Sequence, residues 1–78
     1  MMVTPEDIQG WISDGLPGAE VLVEGDGAHF DAVIVNPVFE GKTLIQRHQM
    51  VYKALGDKMK AEIHALSMKT LTPAEHQS

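Results

Sequence analysis

Ala19-Glu20-Val21-Leu22-Val23-Glu24-Gly25-Asp26-Gly27-Ala28-His29-Phe30-Asp31-Ala32-Val33-Ile34-Val35-Asn36-Pro37 is the stretch whose reading decides the fold. Ala19 to Glu24 alternates and is rich in valine, the pattern of a half-buried strand. Gly25-Asp26-Gly27 is a turn signal, and Phe30 to Val35 predicts a second strand. Together they predict a β-hairpin with His29 at its loop end. Ala32-Val33-Ile34-Val35 is apolar on both faces, which places the second strand inside a sheet. Asn36-Pro37 then breaks the strand.

Downstream of the hairpin, Phe39-Glu40-Gly41-Lys42 reads as a loop. Thr43 with Gln46 three residues later matches a capping box, so a helix is expected over Leu44 to Leu55. Its apolar residues Leu44, Ile45, Val51, Tyr52 and Leu55 are expected to form one face with His48 inside it, and Gln46, Gln49 and Lys53 to lie opposite. Gly56-Asp57 ends that helix, Lys58 to Glu62 allows one more turn, and Ile63 to Leu71 predicts a third strand. Its alternation groups His64, Leu66 and Met68 on one side and Ile63, Ala65 and Ser67 on the other.

Upstream, Thr4-Pro5-Glu6-Asp7 is a helix start: a capping hydroxyl, proline at the first helical position, and two acids at the positive end of the dipole. Ile8, Trp11 and Ile12 supply its apolar stripe, and Gly15 with Leu16-Pro17-Gly18 stops it. Thr72-Pro73-Ala74-Glu75 is one more capping start, but too little chain follows for a helix to propagate. Residues 1–3 and 75–78 are expected to fray around a single domain spanning 1–78.

The order helix, strand, strand, helix, short helix, strand predicts an α+β fold. The second and third strands are joined through helices, so a right-handed crossover makes them parallel. The expected architecture is αββααβ, a three-stranded mixed sheet with helices packed on one face, the connectivity of a class II KH-like module.

With 78 residues and no cysteine, the core must rest on packing alone, at about 0.05–0.15 kcal/mol per residue, or on a partner. The missing thiol removes a cysteine nucleophile, a redox pair and a cysteine-based zinc site. No apolar run approaches the length of a membrane span. Met1 to Gly10 carries Glu6 and Asp7 and no basic residue, unlike a signal peptide or presequence, so a cytoplasmic location is expected.

The net charge of −5 is unevenly distributed: the first 41 residues carry −8, and the remainder, with all six basic residues, +3. A polarised surface follows, either a solvated one or a basic patch facing an acidic or phosphate-bearing partner.

Four histidines are the notable candidates for chemistry. On residue pattern alone, His48 reads as a packed side chain with a hydrogen-bonded ring and His76 as a solvated tail residue. His29 reads as an ordinary polar neighbour of a turn, and His64 as a structural residue at the start of a strand. There is no GxSxG elbow, HExxH or P-loop, and no histidine–acid pair has a telling spacing. An enzyme is therefore not expected.

The stretch Phe39-Glu-Gly-Lys-Thr-Leu-Ile-Gln-Arg-His-Gln-Met-Val-Tyr52, followed by Ile63-His-Ala-Leu66, resembles the BolA family. So do Gly25-Asp-Gly-Ala-His-Phe30 and the closing Thr72-Pro-Ala-Glu75, especially the short bacterial IbaG-like branch. The resemblance runs from about Ile8 to Glu75, with several motifs in the right order. It implies the αββααβ fold and a non-enzymatic adaptor that pairs with a monothiol glutaredoxin. The pair would share a bridging [2Fe–2S] cluster, with glutathione contributing, for cluster assembly, trafficking or stress signalling.

The family's signature histidine falls on His64, which the resemblance implies to be a cluster ligand. The variable-loop residue falls on His29, the candidate second ligand. Because such clusters usually need thiolates, a chain without cysteine would depend on its partner for sulfur. A weak homodimer is a further expected assembly, and no membrane partner is expected. Where the family usually has Trp after Thr-Pro-Ala-Glu, this chain has His76. The resemblance also implies that the positive segment around Arg47 and the Phe39-Glu40-Gly41-Lys42 loop lie near the partner surface. The alternative function is KH-like nucleic-acid binding by a transcriptional regulator, and Lys42, Arg47, Lys53 and Lys58 are the candidates for the partner or nucleic-acid surface. Leu55-Gly-Asp-Lys-Met59 lacks the GxxG pattern of such a grip, and a net charge of −5 opposes phosphate binding.

Overall fold

Reciprocal capping starts three of the helices. The structure, a computed structural model, describes residues 3–61, 63 and 65–77. In α1 (Pro5–Gly15) the Asp7 amide donates to the Thr4 hydroxyl at 3.2 Å, and the Thr4 amide to the Asp7 carboxylate at 3.0 Å. In α2 (Leu44–Leu55) Thr43 and Gln46 make the same exchange at 3.2 and 2.9 Å. In α4 (Pro73–Gln77) Thr72 and Glu75 do so at 3.2 and 2.8 Å. Each pair satisfies two amides that a helix start leaves without partners.

Between α1 and α2 the chain forms β1 (Glu20–Gly25), β2 (His29–Val35) and a 3-10 turn at Pro37–Phe39; after α2 come α3 (Lys58–Ala61) and β3 (Ala65–Leu71). The sheet order is β1-β2-β3, with β1 antiparallel and β3 parallel to the central β2. The mixed three-stranded α+β arrangement matches the sequence expectation.

Phe30, Ala32 and Ile34 face the helices beside Leu66, Met68 and Thr70 of β3. They meet Ile8 and Ile12 of α1 and Val51 and Leu55 of α2 in one core that also holds Phe39 and Ile63. α1 and α2 approach closely: a Cβ built on Gly15 would lie 2.5 Å from Ala54 Cβ. The other sheet face is open, and on it Glu20, Leu22 and Glu24 lie beside Val35, Val33 and Asp31, which in turn pair with Leu71, Lys69 and Ser67.

Three expectations need correction. The apolar residues of α2 do not form one buried face: Val51 and Leu55 are buried, but Leu44, Ile45 and Tyr52 are exposed, Ile45 at 71%. Ile45 and Tyr52 are two turns apart and share a flank turned away from the sheet. Val3 is buried, and residues 73–77 form α4, so the expected fraying fails at Val3 and at residues 75–77; residues 1, 2 and 78 lie outside the described residues. Tertiary bonds supply what so short a helix lacks on its own. Ile63 is buried in the core but precedes the strand, which starts at Ala65.

Candidate functional site

Asp26 holds the hairpin loop. Its Oδ1 accepts the amides of Ala28 and His29, both at 2.9 Å, while its own amide donates to the His29 carbonyl at 3.2 Å. Gly27 takes the turn at φ +100°, a left-handed conformation open to glycine. The amide of His29, then that of Ala28, holds the Asp26 carboxyl below its usual range. The sequence marked this segment only as a turn; the structure shows that Asp26 positions His29.

His29 opens β2 and is exposed. No described residue hydrogen-bonds its imidazole. Its register partner across the sheet is Ala65, the first residue of β3. The signature histidine, His64, precedes Ala65 in the chain and lies outside the described residues, so the expected pairing of His29 with His64 is not among the described geometry. His76 is exposed on α4, beside the open sheet face at Leu22 and Val35. His48 is half-buried, and its Nε2 is buried without a hydrogen-bond partner among the described residues, contrary to the bonded ring expected for it.

The four basic candidates occupy different settings. Arg47 has a side chain only 12% exposed. Its guanidinium donates to the Lys42 carbonyl at 3.1 Å, the Thr70 carbonyl at 3.1 Å and Glu75 Oε1 at 2.7 Å. It thereby ties the start of α2 to the end of β3 and to α4. The Arg47 hydrogen bond, and then the Thr72 amide, lowers the Glu75 carboxyl below its usual range. The Lys58 ammonium sits 4.9 Å from the Trp11 ring centroid, within cation–π range. Lys42 and Lys53 border the same open depression beside α2.

Chemically, the arrangement offers single ligands rather than a closed site. Among the described residues no three His, Cys, Asp or Glu side chains converge on a metal position, and the chain has no cysteine. His29 fits a metal centre as one nitrogen donor, completed from elsewhere. Among the described residues no helix is long and apolar enough to cross a membrane.

Comparison with known proteins agrees with this scaffold. The BolA-like protein family model matches residues 14–75. The acid stress protein IbaG of Escherichia coli strain K12 is 39% identical over 70 residues, which cover 88% of this chain and 83% of that protein. A BolA protein homologue from Coxiella burnetii superposes with a TM-score of 0.92 at 52% identity, covering 99% of this chain and 100% of that one. SufE-like protein 1 of Arabidopsis thaliana is 47% identical over 47 residues, 60% of this chain but only 13% of that much longer protein. The structure of the BolA domain of Arabidopsis SufE1 has a TM-score of 0.79 at 34% identity, covering 91% of this chain and 93% of that domain. Element order, sheet register and family match together show that the chain belongs to the BolA family.

Proposed function

We infer that this protein is a non-enzymatic adaptor that binds a monothiol glutaredoxin and helps to ligate a bridging [2Fe–2S] cluster. Family membership supports the broader setting of iron–sulfur or stress biology. One observation carries the finer reading. His29 offers an imidazole that no described residue hydrogen-bonds, at the exposed end of the sheet and in register with the residue that follows His64, in a chain with no thiol.

A cluster held here must draw its thiolates from a partner, and a glutaredoxin cysteine with glutathione would supply them. Histidine ligation of one iron is chemically accessible and raises the reduction potential. His64 is the first ligand in this reading and His29 the second. Each imidazole must be neutral to bind metal, so cluster retention should fall as pH drops.

Co-expression with a monothiol glutaredoxin tests the proposal. A coloured hetero-complex is expected, and His64→Ala should change its visible circular dichroism while the apo complex still forms. An unchanged spectrum removes His64 from the coordination sphere, and the same measurement on His29→Ala decides the second ligand. Absence of any complex refutes the adaptor role.

A further inference from the structure

We propose that the shallow trough on the Lys42–Lys53 side of α2 is a docking site for a short acidic protein segment with an aliphatic anchor. Its larger depression, about 440 Å³, is lined by Val38, Lys42, Gln46, Gln49, Met50 and Lys53. A second, about 430 Å³, shares Met50 and Lys53 and continues towards Leu16 on the α1 side. Neither lining includes an aspartate or glutamate, although the protein carries −5 overall. The neighbouring cations Arg47 and Lys58 are engaged with Glu75 and Trp11. Neither the Lys42 nor the Lys53 ammonium pairs with a carboxylate among the described residues.

The chemistry selects the occupant. Val38 is an exposed apolar side chain at the rim, and Met50 supplies a pliable surface that accommodates varied aliphatic groups. Gln46 uses its Oε1 to cap Thr43, which leaves its amide nitrogen as a donor, and the Gln49 amide is exposed beside it. These groups suit a peptide backbone. A single nucleic-acid strand instead favours aromatic stacking platforms and a denser row of cations, and no aromatic residue lines either depression.

Lys42 lies two residues before α2 and Lys53 nine residues past its first residue, so about 14 Å of helix at about 1.5 Å per residue, plus two non-helical residues, separates them. An extended segment of about five residues covers a distance of this order at about 3.3 Å each. The expected occupant therefore carries Asp or Glu near both ends and one Leu, Ile or Met between. The site does not depend on the cluster reading: β2 puts about 20 Å between His29 and Val35, and Val38 lies beyond Val35.

Selection from a random peptide display library, followed by amide chemical-shift mapping with the best synthetic peptide, tests this. Acidic peptides with one aliphatic residue should be enriched, and shifts should concentrate at Val38, Gln46, Gln49, Met50 and Lys53. Lys42→Glu with Lys53→Glu should weaken binding at least tenfold, whereas Lys69→Glu on the open sheet face should not. The proposal is overturned if no peptide is enriched, or if the enriched peptides are basic or uncharged. It is equally overturned if shifts centre on β1 or His29, or if a single-stranded oligonucleotide or a second copy of this chain occupies the trough more tightly than the peptides.

Discussion

Replacing Arg47 with methionine should separate a structural arginine from one available to a partner. Methionine retains much of the aliphatic stem but removes the guanidinium. The carbonyls of Lys42 and Thr70 then lose charged donors at 3.1 Å each. Hydrogen bonds to charged groups contribute about 1.5–3 kcal/mol. The Thr70 carbonyl bond is partly buried, and the Lys42 one exposed and better replaced by water. A loss of about 2 kcal/mol follows for the two together.

A chain of this size has a urea slope of about 1 kcal/mol/M, so the unfolding midpoint should fall by about 2 M. Glu75→Gln is the companion variant. Glu75 is 45% exposed, so its pair with Arg47 is screened and its midpoint shift should be smaller. Because the folded-state carboxyl is held below its usual value of 4.5, its contribution is fully present above that value. It disappears as pH falls through the folded-state value, so the wild type and Glu75→Gln should converge in acid. A midpoint shift under about 0.5 M for Arg47→Met would refute the tie between α2, β3 and α4. It would return Arg47 to the set of surface cations.

Four further substitutions probe other parts of the molecule. Asp26→Ala should speed hydrogen exchange at the Ala28 and His29 amides. In the wild type the Asp26 contribution should be complete above its usual value of 3.8 and be lost as pH falls through its lowered folded-state value. Gly15→Ala must push α1 from α2 at Ala54, and the overpacking cost of about 1–3 kcal/mol should exceed a helix-propensity gain of up to about 1 kcal/mol; thermal melts should show a lower Tm. Ile45→Ser should change stability by less than about 0.5 kcal/mol, whereas Ile34→Ala should cost about 2–5 kcal/mol. Urea titrations of the pair would expose any error in the reassigned face of α2.

The elements were legible where local chemistry decides them. The hairpin followed from the Gly25-Asp26-Gly27 turn, the central strand from its two-faced apolar run, and α2 from its capping box. What local pattern could not supply was the geometry between elements. Apolar identity alone placed Leu44, Ile45 and Tyr52 with Val51 and Leu55, but the direction in which α2 meets the sheet buries only the latter pair. Likewise α4 is too short to stand by propensity, and the bond that fixes it comes from Arg47, 28 residues earlier. The same distance hid the role of Arg47, which reads in sequence as one of several surface charges.

These errors share a cause with the way the candidate sites are built. His29 is exposed by a local device, the Asp26-held loop, and so a glycine-flanked aspartate was its sequence signal. The trough beside α2 is nonlocal: Val38 comes from the 3-10 turn, Lys42 from the approach to α2, and Leu16 from the end of α1. Its positive character arises by subtraction, because Glu75 and Trp11 engage the neighbouring cations and no carboxylate enters the lining. The sequence offers four equivalent candidates among its six basic residues; their bonding leaves Lys42 and Lys53 as the pair facing one depression. The central strand then keeps two different chemistries apart. One end presents the exposed His29 imidazole, which the proposed function makes a cluster ligand completed by a partner's sulfur, and the other presents ammonium groups and an apolar floor. An adaptor with both can hold one partner by cargo and another by peptide contact, and His29→Ala and Lys42→Glu/Lys53→Glu should impair the two functions independently.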